Sequence, residues 1–548
     1  MLLVGSAAAA ADCPEEPWPW TPRLSEQPAE ASMRDAGLLV AAILCLGYLS
    51  GAAFLGGPAI CLLATLAPCL HTWALAASGT GHSHCRLAAP SAPAHARSFV
   101  QLLSSSSSVG VMILAWYPVL MLCNLRAGTG ASAHKPLDSW LVQLSMLAAD
   151  GLFWLWLTLA TYAHAHPSGF TAVTPLLLEA CLFAATLAAF ALHYAALLHK
   201  GALHPAFAPL LLLELLVLGA VVALVGRQLL GGGYNQLLGG PPDGHAREGT
   251  PDAELLLHLQ VVGLTAIALG PLAESALMPW SQRWRAARSS SPSTDLEAVV
   301  PVVRKPAEAR PGRWLLAHDE VHEPWSLETH RAVATHTRRQ VPEALWLTRW
   351  EAAWNVISAL LPLAYLWSLP LLARAGFCQG PAQWRWGPEA SISRYINNPW
   401  ATAALGGACF FAAMDMWRFG GVGLKAEGYL PGSHPLEFGA SRLALLYVQL
   451  SLGAVLVLSD AWHPALHLAA TGCFCASALV YNALVAHASH DVFGRAFNAN
   501  LGIGSIAAAL TIGCVVEMSR TVGIPWPGSP SPDHVFWVCE TLGLSSIF

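Results

Sequence analysis

Along most of the chain, apolar residues run on for about 20 positions before a short polar or Gly/Pro-containing break, the length a helix needs to cross roughly 30 Å of hydrocarbon. Seven such runs occupy the front half, at 36–56, 58–79, 99–124, 139–163, 170–198, 205–231 and 252–278. The first two are divided only by Gly56, Gly57 and Pro58, which predicts a tight hairpin or one broken segment. Five more follow residue 350, at 351–375, 399–418, 441–459, 464–486 and 496–517, and a last apolar piece at 535–548 is too short for a full crossing. The pattern predicts an all-α, polytopic helical membrane protein with about 12–13 transmembrane helices in two bundles.

The only long polar stretch, 279–350, divides the chain into an N-terminal tail (1–35), a front bundle (36–278), a linker and a rear bundle (351–548). Arg283, Arg285 and Arg288 on one side and Arg338, Arg339 and Arg349 on the other put the linker in the cytosol by the positive-inside rule. Seven crossings upstream then place the acidic tail (Asp12, Glu15, Glu16, Glu26, Glu30, Asp35) on the opposite side. Met1 to Ala11 lack the basic residues that open a signal peptide. The Ser-rich run from Ser289 to Thr294 and the stretch to Pro311 have the composition of a segment that orders on binding, so a cytosolic protein partner is expected at 279–350. No internal repeat of the inverted transporter kind is visible.

Composition works mainly by exclusion. Of 548 residues 55% are apolar and 11% charged, against roughly a quarter charged in a soluble domain, so a water-soluble enzyme of this size is excluded. The net charge is −5 and the basic residues form no patch suited to nucleic acid. Nine of the 13 Cys lie in apolar runs, where a thiol behaves as a small hydrophobe. Phosphate-binding loops, a GxSxG elbow, kinase signatures and HExxH are absent in any usable context, and no cofactor is expected.

Polar residues inside the runs need a reason, because an ionisable group in hydrocarbon costs about 2.5–3.5 kcal/mol on insertion scales. Asp150, Glu179, His193, Glu214, His258 and Glu274 are the front-half cases. Asp150, Glu179 and Glu214 either line a proton or cation path or are hydrogen-bonded to a neighbouring helix and fix packing. His82, His84 and Cys85 form a loop cluster of ligand types that a soft divalent metal accepts, with His164 and His166 ending a span on the same side; the alternative is a polar, titrating loop. In the rear half, Asp415 precedes Arg418 by one turn across Trp417, an interfacial anchor. Asp460, His463 and His467 follow at spacings of three and four, but Pro464 suits a first helical turn, which leaves Asp460 and His463 in the connection and only His467 inside.

Taken in order, these rear residues resemble the Frag/DRAM/Sfk family of six-span membrane proteins over about residues 345–548. The Ser358-Ala359-Leu360-Leu361-Pro362 span is followed by Glu389-Ala390-Ser391-Ile392-Ser393, similar to the family's Pro-x-Ile-Ser loop. Gly453 and Val457 stand in the third span, and His467, Gly472, Phe474 and Tyr481 in the fourth. Trp537-Val538-Cys539-Glu540 is placed like the acidic residue before the family's final helix. The resemblance implies a multi-pass protein of the endomembrane system (lysosome, Golgi or ER) or plasma membrane, a scaffold or lipid-handling factor in autophagy, phosphoinositide or GPI-lipid processes, with membrane lipids as partners. A His467–Glu540 pair would satisfy two costly groups at one depth. Two other functions remain open: an intramembrane lipid hydrolase or transferase using Asp460, His463 and His467, with His434 or Glu540, and a transporter using Asp150, Glu179 and Glu214.

Overall fold

The computed structural model describes residues 57–80, 97–103, 106–130, 136–166, 174–199, 203–230, 251–289, 341–378, 391–426, 435–458, 464–488, 500–513 and 532–547. Among these there are helices and turns and no strand. The helices are α1 (Gly57–Thr80), α2 (Phe99–Leu102), α3 (Ser106–Gly130), α4 (Pro136–Ala165), α5 (Pro175–His199), α6 (Ala208–Gln228), α7 (Pro251–Ser289), α8 (Val341–Arg374), α9 (Ile392–Tyr395), α10 (Pro399–Ala426), α11 (Pro435–Val457), α12 (Pro464–Ala488), α13 (Asn500–Gly513) and α14 (Pro532–Ser545). Each apolar run read from the sequence falls on one of them, except 99–124, which is divided between α2 and α3, and 36–56, which lies outside the described residues. Six helices are long and apolar enough to cross a membrane, within α4, α5, α6, α7, α8 and α12, and shorter apolar helices occur in α3, α10, α11 and α13. The protein is an all-α, multi-pass membrane protein.

Helix boundaries follow local chemistry. Seven of these helices (α4, α5, α7, α10, α11, α12 and α14) open on proline, whose fixed φ suits the first turn and whose missing N–H would have had no partner there. Some hydroxyls inside the helices bond back one turn, as Thr161 does to the Leu157 carbonyl (2.7 Å) and Thr186 to that of Leu182 (2.9 Å), which pairs their polar hydrogens within the helix. Helix α7 continues to Ser289 and α8 begins at Val341, so both ends of the expected 279–350 linker are helical. Residues 290–340, with the expected partner-binding segment, lie outside the described residues.

The front and rear groups share one core. Helix α3 packs on α1 and α4 but also on α10 and α11, and α4 packs on α5 and α10. The junction is aromatic: Tyr117 of α3, Trp154 of α4 and Phe410 of α10 meet with ring centroids 5.3–5.7 Å apart, and the Tyr117 hydroxyl donates to the Gly406 carbonyl. Glycine permits the approach. A Cβ on Gly407 would sit 2.9 Å from that of Trp154, and one on Gly110 would collide with the Leu456–Val457 backbone of α11. Small residues of this kind let membrane helices close on one another when hydrocarbon itself supplies no driving force. A smaller apolar cluster of Val448, Phe474, Ala478, Ile506 and Ile547 joins α11, α12 and α13 to the last described residues. Leu212, Leu213, Leu215, Leu216 and Val222 of α6 are exposed, the face such a helix presents to lipid.

Candidate functional site

Two polar clusters stand at one end of the bundle. That they share an end follows from the last turn of α4: Tyr162 packs at a tilt against Phe377, just past α8, and His166 packs edge-on against Trp400 in the first turn of α10. The Trp400 indole and the Asn398 amide both donate to the Phe377 carbonyl, locking these ends together.

The front cluster is centred on Glu179, the fifth residue of α5 and fully buried. Its Oε2 accepts from Ser98 Oγ (2.7 Å) and faces His164 Nε2 at 2.5 Å; its Oε1 accepts from Gln260 Nε2 (2.7 Å) and the Val100 N–H (3.3 Å). Ser98 is free to donate because its oxygen already receives the Gln101 N–H, and the Gln101 side chain returns a bond to the Ser98 N–H (2.8 Å), a capping box at the head of α2. With the imidazole proton on Nε2, the carboxylate has four donors for its four lone-pair positions. These bonds tie α2 and its cap to α4, α5 and α7 in one knot.

The rear cluster gathers around the short helix α9. Ser391 caps it, its Oγ accepting from the Arg394 N–H. Glu540 Oε2, from α14, accepts from the Ile392 N–H at 2.8 Å. His467, the fourth residue of α12, has Nε2 2.8 Å from Ser393 Oγ and Nδ1 2.5 Å from the Leu458 carbonyl. The carbonyl only accepts, so Nδ1 carries a proton; in the tautomer with its single proton there, Nε2 is the acceptor and the Ser393 hydroxyl donates to it. His467 is 8% exposed and Ser393 half-buried.

Several residues singled out in the sequence fall here and others do not. Helix α12 starts at Pro464, so His467 is one turn inside it as the proline implies. The expected His467–Glu540 pair is not what orients the imidazole: both ring nitrogens are taken, by Ser393 and Leu458, and Glu540 instead holds the backbone of the same turn. Asp460, His463, His434 and the His82, His84 and Cys85 cluster lie outside the described residues, as does the side chain of Asp415. Among the described residues no group of three metal-ligand side chains occurs. Asp150, Glu179 and Glu214 are all fully buried, and Glu179 does not share a depth with Glu214. Glu179 and Glu214 stand near the starts of the consecutive, packed helices α5 and α6, which at 1.5 Å per residue puts them about 20 Å apart along the axis. Neither oxygen of Glu214 has a hydrogen-bond partner among the described residues. His193 instead meets Ser145 of α4, 3.2 Å away.

Sequence reasoning missed Ser98, Gln260 and Ser393 as site residues. The Ser98-Phe99-Val100-Gln101 spacing carried a capping-box signal ahead of an apolar run. Gln260 offered none, because its partner is 81 residues away; Ser393 stood in the family-like Ser391-Ile392-Ser393 segment, but its partner His467, 74 residues away, was not visible from there. Compared with known proteins, the chain matches no family model, no curated protein and no solved structure.

Proposed function

We propose that this chain is a lipid-handling multi-pass membrane protein of the Frag/DRAM/Sfk type, and that it meets lipid at the α9 turn. One observation carries the reading. The family-like Ser391-Ile392-Ser393 segment, the family-like histidine His467 and the family-like acid Glu540 are hydrogen-bonded together, although 74 to 148 residues separate them in the chain. Polar groups at a helix end, with exposed Leu466 and Leu468 flanking His467 and exposed Leu542 two residues from Glu540, suit a molecule with one polar and one apolar part. The resemblance also suggests an endomembrane or plasma-membrane setting, which imaging of a tagged chain would assign.

The test is native mass spectrometry of the full-length protein released from detergent micelles. Tightly held phospholipid is expected on the wild type and at least fivefold less on His467→Ala and Glu540→Ala. Equal lipid retention by all three overturns the reading.

A further inference from the structure

The rear cluster contains the parts of an activated nucleophile. We propose that Ser393 is a nucleophile and His467 its general base, acting in acyl transfer from an ester-linked membrane lipid. This deepens the lipid-handling reading and rests on it.

Three features carry the assignment. The first is the direction of the hydrogen bonds. Leu458 O fixes the Nδ1 proton, so Nε2 faces Ser393 Oγ with its lone pair, at 2.8 Å. A serine hydroxyl becomes a useful nucleophile when a base within hydrogen-bond reach accepts its proton and a third group holds that base in the right tautomer. The Leu458 carbonyl is the third group here. The second feature is the fixed backbone of the turn. Glu540 on the Ile392 N–H and the Ser391 cap both hold the N-terminal end of α9, so Ser393 is presented from a tethered turn. The third is location. Ser393 is half-buried and stays within reach, at the membrane end where acyl esters lie between headgroup and hydrocarbon. Leu466 and Leu468, on either side of His467, are 48% and 60% exposed and offer an apolar track for the acyl chain. A soluble ester would gain nothing from that track.

The chemistry balances without any further cofactor. Ser393 Oγ forms a bond to the ester carbonyl carbon as its proton passes to His467 Nε2. The tetrahedral adduct collapses with cleavage of the acyl carbon–oxygen bond, and the leaving lipid alcohol takes the proton from Nε2. Water, or the hydroxyl of a second lipid, then attacks the acyl-Ser393 ester, gives its proton to Nε2 and releases the acyl group as a fatty acid or a new ester, with the proton returning to Ser393.

The full-length protein in phospholipid nanodiscs is treated with a long-chain alkyl fluorophosphonate, which phosphonylates an activated serine with loss of fluoride. Peptide mass spectrometry should place the adduct on Ser393, at least tenfold slower in His467→Gln and absent in Ser393→Ala. A missing Ser393 adduct, or a rate indifferent to His467→Gln, overturns the proposal. Should His467→Gln fail to fold, Ser393→Cys replaces it: its thiol, paired with the imidazole, should react with iodoacetamide at least fivefold faster than Cys473, which is exposed on the same helix as His467. A ratio near one is the contrary result. Lipid retained in native spectra without any Ser393 adduct removes the nucleophile and leaves the lipid-handling reading standing, whereas loss of both removes both.

Discussion

The two polar clusters at the same end of the bundle use similar residues to opposite effect. In front, Ser98 and His164 both turn toward one carboxylate, and Glu179 accepts everything offered to it. At the rear, Ser393 turns toward the histidine itself, while the acid, Glu540, holds backbone. A carboxylate with every lone pair filled is a structural fastener: its worth lies in the four donors it keeps from being stranded in a low-dielectric interior. An imidazole with one nitrogen clamped by a carbonyl and the other facing a hydroxyl has a basic lone pair aimed at a transferable proton. What separates a fastener from a reactive pair is therefore which atom is left able to change its bond, and residue type alone does not say.

The comparison can be broken by substitution. The largest effect is expected from Glu179→Leu, which strands Ser98, Gln260, His164 and the Val100 N–H at once. Removing one side of such a buried charged network costs about 3–5 kcal/mol. Thermal unfolding in detergent should show it, together with poor recovery of the folded form, and wild-type stability would mean that the knot does not hold the four elements. Next comes Gly407→Leu, which pushes side-chain atoms into Trp154 where α10 crosses α4. Overpacking of this sort costs about 1–3 kcal/mol, and the same melt should report a smaller loss; an unchanged melting temperature would count against the close front–rear contact. The smallest effect is Ser393→Ala. It removes a single hydroxyl bond at a half-exposed turn, worth about 0.6 kcal/mol in membrane bundles. A destabilisation as large as that of Glu179→Leu would make the rear cluster a second fastener and erase the contrast.

Much of the architecture was legible beforehand. The run lengths marked the spans, and Pro464 marked the start of α12, because a proline is tolerated in a first turn and a helix in lipid must satisfy its own backbone. Glu179 was legible as costly, and its reason was not: three of its four donors sit outside its own helix and its immediate sequence neighbourhood, on α2 and α7. His467 was legible as an inside histidine, while the hydroxyl and carbonyl its ring nitrogens meet, of Ser393 and Leu458, were not. Depth along the membrane can be inferred from spacing, but the rotation of α9 that turns Ser393 toward the ring cannot. The division into front and rear groups marked the polar linker; it carried no information on packing, and Tyr117, Trp154 and Phe410 join the two groups in one core.

The amino-acid order alone settled that this chain is a stack of apolar helices spanning a bilayer, since apolar length and the cost of an unpaired backbone in hydrocarbon leave no other structure available. Tertiary packing settled what the rare polar groups do. Their bonds reach from one helix to another, so the donors that surround Glu179 and the hydroxyl that meets His467 exist as neighbours only after the helices have closed on each other.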